Sequence, residues 1–354
     1  MRNVGAGMAA KMSQITSEGN QRVERIESLR RWLESVVGQR DFVLSPASND
    51  ASFRRYFRAG FADGRPGLIV MDAPPGREDC RPYLHVAALF RAAGVHVPAV
   101  HAQELDLGFL LLSDLGDTSY LAGLGEANAD RLYRDALESL ARIQLASRPG
   151  GLPEYSRDLL MRELELFPAW YIARQLGREP TPSQRETLNQ IFQLLVENNL
   201  AQPRVFVHRD YHSRNLMVCE PNPGILDFQD AVYGPVTYDL VSLLRDAYIH
   251  WPEERVIDWC IRYWERARKA GIQVATDFAD FYRDFEWMGA QRQIKVLGIF
   301  ARLSYRDGKD GYLRDQPLVM RYLRETCARY RELAPLARLL DELEPVEKNV
   351  GYTF

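Results

Sequence analysis

The chain of 354 residues exceeds one average domain, and two lobes sharing a cleft is the organisation its length favours. Hydrophobic residues at 46% and aromatics at 11% exclude a disordered chain. With 45 basic against 48 acidic residues the net charge is −3, which makes no case for nucleic acid or an anionic membrane as partner but leaves a local anion site open.

Residues 1–20 lack the apolar centre of a signal peptide and are expected to form a disordered extension. Val23, Ile26, Leu29, Leu33 and Val36-Val37 recur every three to four residues, predicting an amphipathic helix that ends near Gly38. Phe42-Val43-Leu44, Arg55-Tyr56-Phe57-Arg58 and Leu68-Ile69-Val70-Met71 predict strands; residues 80–93 predict a helix and Phe109–Leu112 a buried strand. These elements make a small α+β lobe over 21–113. From Asn128 the pattern turns helical, with stripes at Leu132, Ala136, Leu140 and Ile143 and at Leu188, Ile191, Phe192 and Leu195. Val256–Ala267, Phe278–Phe300 and Val319–Leu340 continue it, so 114–354 is expected to be a mainly helical lobe. Trp259, Tyr263, Trp264, Phe281 and Phe285 are expected in its core rather than in a ligand stack. Cys80, Cys219, Cys260 and Cys327 form no metal-spaced pair and read as reduced thiols. No apolar run approaches 18 residues, so no membrane span is expected, and the expectation is a cytoplasmic protein with no obligate protein partner.

One segment interrupts the helical half. His208-Arg209-Asp210-Tyr211-His212-Ser213-Arg214-Asn215 has the form H-x-D-x-x-x-x-N, and Gly224-Ile225-Leu226-Asp227-Phe228 follows. Val205-Phe206-Val207 reads as a buried strand entering the loop. Leu216-Met217-Val218 leaves it, Glu220-Pro221-Asn222-Pro223-Gly224 turns, and Ile225-Leu226 returns. This order would converge Asp210, Asn215 and Asp227 on one pocket. Phosphoryl transfer needs a carboxylate to hold the acceptor hydroxyl, plus an Asn and a further Asp to hold Mg²⁺ against a triphosphate.

These residues resemble the aminoglycoside phosphotransferase and choline kinase superfamily, small-molecule kinases with a two-lobed protein-kinase-like α+β fold. Gln229 stands where a protein kinase has the Gly of Asp-Phe-Gly, and no Ala-Pro-Glu occurs in the 30 residues after Asp227, which disfavours a protein substrate. Three stretches narrow the resemblance: Leu226–Ala231 running into Tyr233-Gly234-Pro235, Tyr238–Leu244, and Gln291–Lys295 through Gly298–Arg302. Together they resemble bacterial anomeric kinases of N-acetylmuramate and N-acetylglucosamine in cell-wall (peptidoglycan) recycling. The resemblance implies ATP and Mg²⁺ as cofactors, with Asp210 catalytic and Asn215 and Asp227 on the metal. His208 is expected to pack and hydrogen-bond the loop. Asp239 would either bond the loop backbone, as its family counterpart does, or be an ordinary carboxylate at a helix start. Alternative functions are an aminoglycoside or other small-molecule hydroxyl kinase, and a non-catalytic nucleotide-binding module.

The chain departs from the kinase pattern in its first lobe. Met71 stands near the position of the third-strand Lys that grips the α- and β-phosphates, and no Lys lies between Lys11 and Lys269. Arg54, Arg55 and Arg58 are the available cations, with Glu78 or Asp79 as possible orienting partners. No Gly-rich loop is present; the turn-forming segment Ser48–Phe53, with Asn49, Ser52 and Phe53, stands in its place as a nucleotide-binding candidate. By likeness, adenine should meet the backbone at Ser113, Asp114 and Leu115. For the acceptor, a lactyl carboxylate would call for a cation, and Arg292, Lys295 and Arg302, with Arg306 following, are the candidates; Arg214 would neutralise substrate or phosphate charge or point to solvent, and Asp230 would bind sugar hydroxyls or add negative charge beside Asp227. A solvated charged face remains the competing explanation for Arg292 and Lys295.

Overall fold

The computed structural model describes residues 23–48 and 53–345. The extension expected over 1–20 therefore lies outside the described residues. The chain resolves into two compact units, the first running to Leu84 and taking in Pro98–Leu115, the second made of His85–Val97 and the chain from Gly116 onward.

In the first unit, helix α1 (residues 23–37) buries Leu29 and Leu33 completely. Val23 and Val36 of the expected stripe are 58% and 39% exposed, whereas Val37 packs on the core as expected and Trp32 joins it there. Strands β1 (Phe42–Ser48), β2 (Arg55–Phe61), β3 (Leu68–Asp72), β4 (Val100–Glu104) and β5 (Phe109–Ser113) form an antiparallel sheet in the order β1-β2-β3-β5-β4. Phe42, Ala59, Val70, Phe109 and Leu111 supply the sheet's share of the core. Each large side chain so buried contributes about 1.5–3 kcal/mol. Strand β4, Val-His-Ala-Gln-Glu, gave no sequence signal because it is a polar edge strand with no fully buried residue. The turn into β5 depends on Gly108: φ is +71°, and a Cβ there would stand 1.9 Å from the Ala73 carbonyl oxygen.

Helix α2 (Arg81–Ala92) corrects the expected boundary at 113, because most of it belongs to the second unit. Phe90 packs against His208 and Phe228, at 6.1 and 5.7 Å between ring centroids, and His96 bridges to Gly224. In the second unit the one-turn helix α3 (Tyr120–Gly123) is followed by α4 (Ala129–Leu145), α5 (Arg157–Leu164), a π-helical segment (Phe167–Gln175) and α6 (Pro182–Ala201). Two small antiparallel ribbons then appear, β6 (Arg204–Val207) with β9 (Val232–Pro235), and β7 (Leu216–Met217) with β8 (Gly224–Ile225). Helices α7 (Tyr238–Leu244), α8 (Glu253–Ala270), α9 (Phe278–Asp307), α10 (Gln316–Arg329) and α11 (Ala334–Leu343) complete it. The single helical signal over Val319–Leu340 is thus two helices, broken at Tyr330.

The 30-residue α9 runs through the core of this unit and carries Phe281, Phe285, Ile294, Leu297 and Phe300. It also buries Glu286, Gln291, Arg292, Gln293 and Lys295, an unusual load of polar groups for a core helix. Gly298 lets the Leu166 backbone approach so closely that a Cβ would meet it at 2.4 Å. The expected core aromatics Trp259, Tyr263, Phe281 and Phe285 are buried, and Trp264 is half-buried. Cys80, Cys219, Cys260 and Cys327 are free thiols, and no helix among the described residues is long and apolar enough to cross a membrane.

Candidate active site

Apolar β6 delivers the chain to His208 and the loop is then tied down on every side. Asp239, second residue of α7, accepts the backbone N–H of His208 at 2.6 Å and of Arg209 at 3.0 Å. The His208 ring is fully committed: Nε2 meets the Leu226 carbonyl at 2.9 Å, and Nδ1 accepts from the Asp210 N–H at 3.2 Å. Burial lowers its pKa to about 4, so the ring is neutral and holds the loop. Asp246 accepts the Ser213 N–H at 2.8 Å, and the buried Tyr211 hydroxyl donates to Ala136 at 2.8 Å.

The second motif arrives by the β7–β8 ribbon. Its pairing of Leu216 with Ile225 puts Asn215 beside Leu226, whose N–H donates to the Asn215 carbonyl at 2.9 Å. Asn215 Nδ2 donates to the Asp210 carbonyl at 3.0 Å, which turns the amide oxygen the other way. Gln229 Nε2 donates to Asp227 Oδ1 at 2.7 Å. Asp210, Asn215 and Asp227 are all half-buried, and the backbone hydrogen bonds bring their segments into one locale. The two non-glycine residues with positive φ among the described residues lie here, Arg209 at 78° and Asp227 at 61°. Strain of this kind costs of order 1–3 kcal/mol per residue and persists where surrounding contacts over-determine it.

Beneath the loop lies an ion cluster. Glu163 of α5 pairs with Arg209 at 2.5 Å and with Lys295 of α9 at 3.0 Å, and it accepts from the Tyr155 hydroxyl. Lys295 Nζ also donates to the Tyr238 hydroxyl at 2.8 Å. Burial alone would raise the Glu163 pKa, but Lys295 and Arg209 hold it below the ordinary value. Burial likewise works against charge on Asp210. The positive field, Lys295 foremost with Arg292 and Arg209 adding, outweighs it and lowers the carboxyl to about 2. For Asp239, burial wins over the two backbone donors and raises the group to about 7.

The substrate candidates separate. Lys295 is taken up by Glu163 and Tyr238. Arg214 lies over the Tyr248 ring at 3.5 Å and pairs with Asp315 at 3.5 Å. Arg292 is buried in α9 with its Nε unpartnered. Asp230 is exposed, and its carbonyl accepts from Arg209 at 3.3 Å. Sequence reasoning missed Glu163, Tyr155 and Asp246. The signal for Glu163 was an acid on the apolar face of α5, in register with Leu160 and Leu164.

In the first unit, the buried Asp72 holds both Arg25 and Arg55, with Arg55 Nε at 2.9 Å. Arg58 forks onto Asp114 at 2.5 and 3.1 Å, and Arg54 pairs with Glu78 at 2.9 Å. Ser113 exchanges bonds with Ala99, its hydroxyl accepting at 2.8 Å, and Leu115 is buried. Phe53 is 58% exposed under the Arg77 guanidinium; Asn49 and Ser52 lie outside the described residues.

The chain is similar over residues 43–278 to the model of the phosphotransferase enzyme family. It is 51% identical to the N-acetylmuramate/N-acetylglucosamine kinase of Neisseria meningitidis, over 94% of this chain and 100% of the relative. Identity to the Pseudomonas aeruginosa protein of the same name is also 51%, over 90% and 97%. Among solved structures, the ADP-bound aminoglycoside phosphotransferase APH(2'')-Ib shares the fold, with a TM-score of 0.55 over 84% of this chain and 98% of that one at 14% identity. Motif, fold and relatives agree, and the chain belongs to the phosphotransferase enzyme family.

Proposed function

We propose that this chain is an ATP-dependent kinase phosphorylating the anomeric hydroxyl of N-acetylmuramate and N-acetylglucosamine, in peptidoglycan recycling. The observation that carries the reading is the 51% identity, over nearly full lengths, to two kinases of those sugars. Asp210 accepts a hydrogen bond from the acceptor hydroxyl and orients it toward the γ-phosphorus. A carboxylate held at about 2 is a weak base, so the proton leaves late, as a loose transition state requires. Positioning and charge then carry most of the rate.

Asn215 and Asp227 would hold Mg²⁺. An amide oxygen and a carboxylate are hard donors that leave coordination positions for waters and phosphate oxygens, and the Asn215 bond to the Asp210 carbonyl orients its oxygen away from that bond. The ion supplies neutralisation of phosphate charge when bound. In the first unit, Asn49, Ser52, Phe53 and Arg55 are proposed to meet the phosphates, and Ser113, Asp114 and Leu115 the adenine. The Arg54–Glu78 pair, a cation held by a glutamate, is the proposed stand-in for the missing Lys. ATP use and free thiols fit a cytoplasmic enzyme.

An aminoglycoside acceptor is disfavoured because Glu163 answers Arg209 and Lys295 while Arg292, with no ion pair among the described residues, leaves a positive charge acting on Asp210 that a polycation would meet. Incubation with ATP, Mg²⁺ and each amino sugar should release ADP and give a product whose phosphorus couples to the anomeric proton by NMR. Phosphate at C6, or turnover of kanamycin in preference to both sugars, refutes the assignment.

A further inference from the structure

Four cations stand near the catalytic loop, and three have found their counter-ions within the protein. Arg209 and Lys295 share Glu163, and Arg214 has Asp315 and the Tyr248 ring. Arg292 has none. It is 6% exposed on α9, it forms no ion pair among the described residues, and its Nε is enclosed without a hydrogen-bond partner. It lies one turn before Lys295 on α9, the residue whose ammonium meets Glu163 beneath the loop, and its charge acts on Asp210, His212, Asp239 and Tyr248. Those carboxylates act on it at a distance, and a buried guanidinium with no ion pair or hydrogen-bond partner at Nε is unfavourable unless a ligand supplies one.

Resting on the proposed function, we infer that Arg292 is the specificity residue that reads an acidic substituent on the acceptor sugar. A carboxylate carried by an N-acetylated hexosamine docks on its guanidinium, and the neutral hexosamine leaves that contact to water. The placement suits the chemistry. In N-acetylmuramate the ether bearing the carboxylate and the phosphoryl-accepting hydroxyl are two ring carbons apart. A cation reading the acid must therefore stand near Asp210 without being bonded to it, as Arg292 does. A guanidinium also offers the planar pair of donors that a carboxylate matches.

The test compares kcat/KM for N-acetylmuramate and N-acetylglucosamine in wild type, Arg292→Met and Arg292→Lys, using the full chain with ATP and Mg²⁺. Losing a hydrogen bond to a charged group is worth roughly 10- to 100-fold, so Arg292→Met should lose that much more on the acid than on the neutral sugar, chiefly in KM, whatever loss the two share through the field on Asp210. Arg292→Lys keeps the charge but not the fork and should fall between them; should the Met variant fail to fold, the Lys variant's ratio for the two sugars gives the same reading. A parallel loss on both sugars, which a phosphate contact or a loop support would produce, overturns the inference, as does an unchanged ratio. Wild-type protein inactive on both sugars would instead overturn the functional reading, and this one with it.

Discussion

Glu163→Gln removes one negative charge from between two cations and changes almost nothing in volume. The carboxylate is 7% exposed, Lys295 is 8% exposed at 3.0 Å, and Arg209 is 19% exposed at 2.5 Å. Breaking a buried pair by deleting one partner costs about 3–5 kcal/mol, because the surviving charge is left without compensation. Here two charges survive, but the Gln oxygen still accepts one hydrogen bond, so the lower end of that range, about 3 kcal/mol, is expected. At roughly 2–4 °C per kcal/mol for a unit of this size, the melting temperature should fall by about 6–12 °C. Adding Lys295→Met to Glu163→Gln should recover part of the loss, a coupling that a double-mutant cycle measures directly. Because Glu163 titrates below its ordinary value in the fold, its contribution is present above the unfolded carboxylate pKa of about 4.3 and is lost as pH falls through the lower folded value. The variant's deficit should therefore shrink in acid. Calorimetry against pH gives both readouts. A melting temperature within about 2 °C of wild type at neutral pH would show that Glu163 does not hold the two cations.

Asp210→Asn should cut turnover by about 10²–10⁴-fold while ATP affinity, by titration calorimetry, stays within about threefold; lost nucleotide binding with intact turnover would contradict the role given to this carboxylate. Asp239 titrates the other way from Glu163. Its folded pKa, about 7, lies above the unfolded value of about 3.9, so its contribution is full below 3.9 and is lost as pH rises to about 7. Asp239→Asn should flatten the melting-temperature profile in that window, and an unchanged slope would refute the assignment. Gly298→Ala should lower stability by about 1–3 kcal/mol or more, since its Cβ would stand 2.4 Å from the Leu166 backbone. A rise in melting temperature, the usual result for Gly→Ala in an open helix, would refute that packing.

The readable part of this site is the part built from nearby residues. His208, Asp210 and Asn215 are bound to one another across two to five positions, and Asp227 follows by a short hairpin. The chemistry and the alternation of strand and turn could therefore be read from one short segment. Glu163 and Asp246 act on the same loop from 46 and 33 residues away, and Lys295 reaches Glu163 across 132 positions in the chain. No local periodicity encodes such meetings. For the same reason the sequence offered Arg54, Arg55 and Arg58, and Arg214, Arg292 and Lys295, as equals. A cation's task depends on which carboxylate has already claimed it: Asp72 claims Arg55, Asp114 claims Arg58, Asp315 claims Arg214 and Glu163 claims Lys295. Net charge sums over these claims and hides them. Once the internal pairs are subtracted, the positive charge acting on Asp210 that no ion pair among the described residues answers is that of Arg292, and the acceptor's own chemistry is what can answer it.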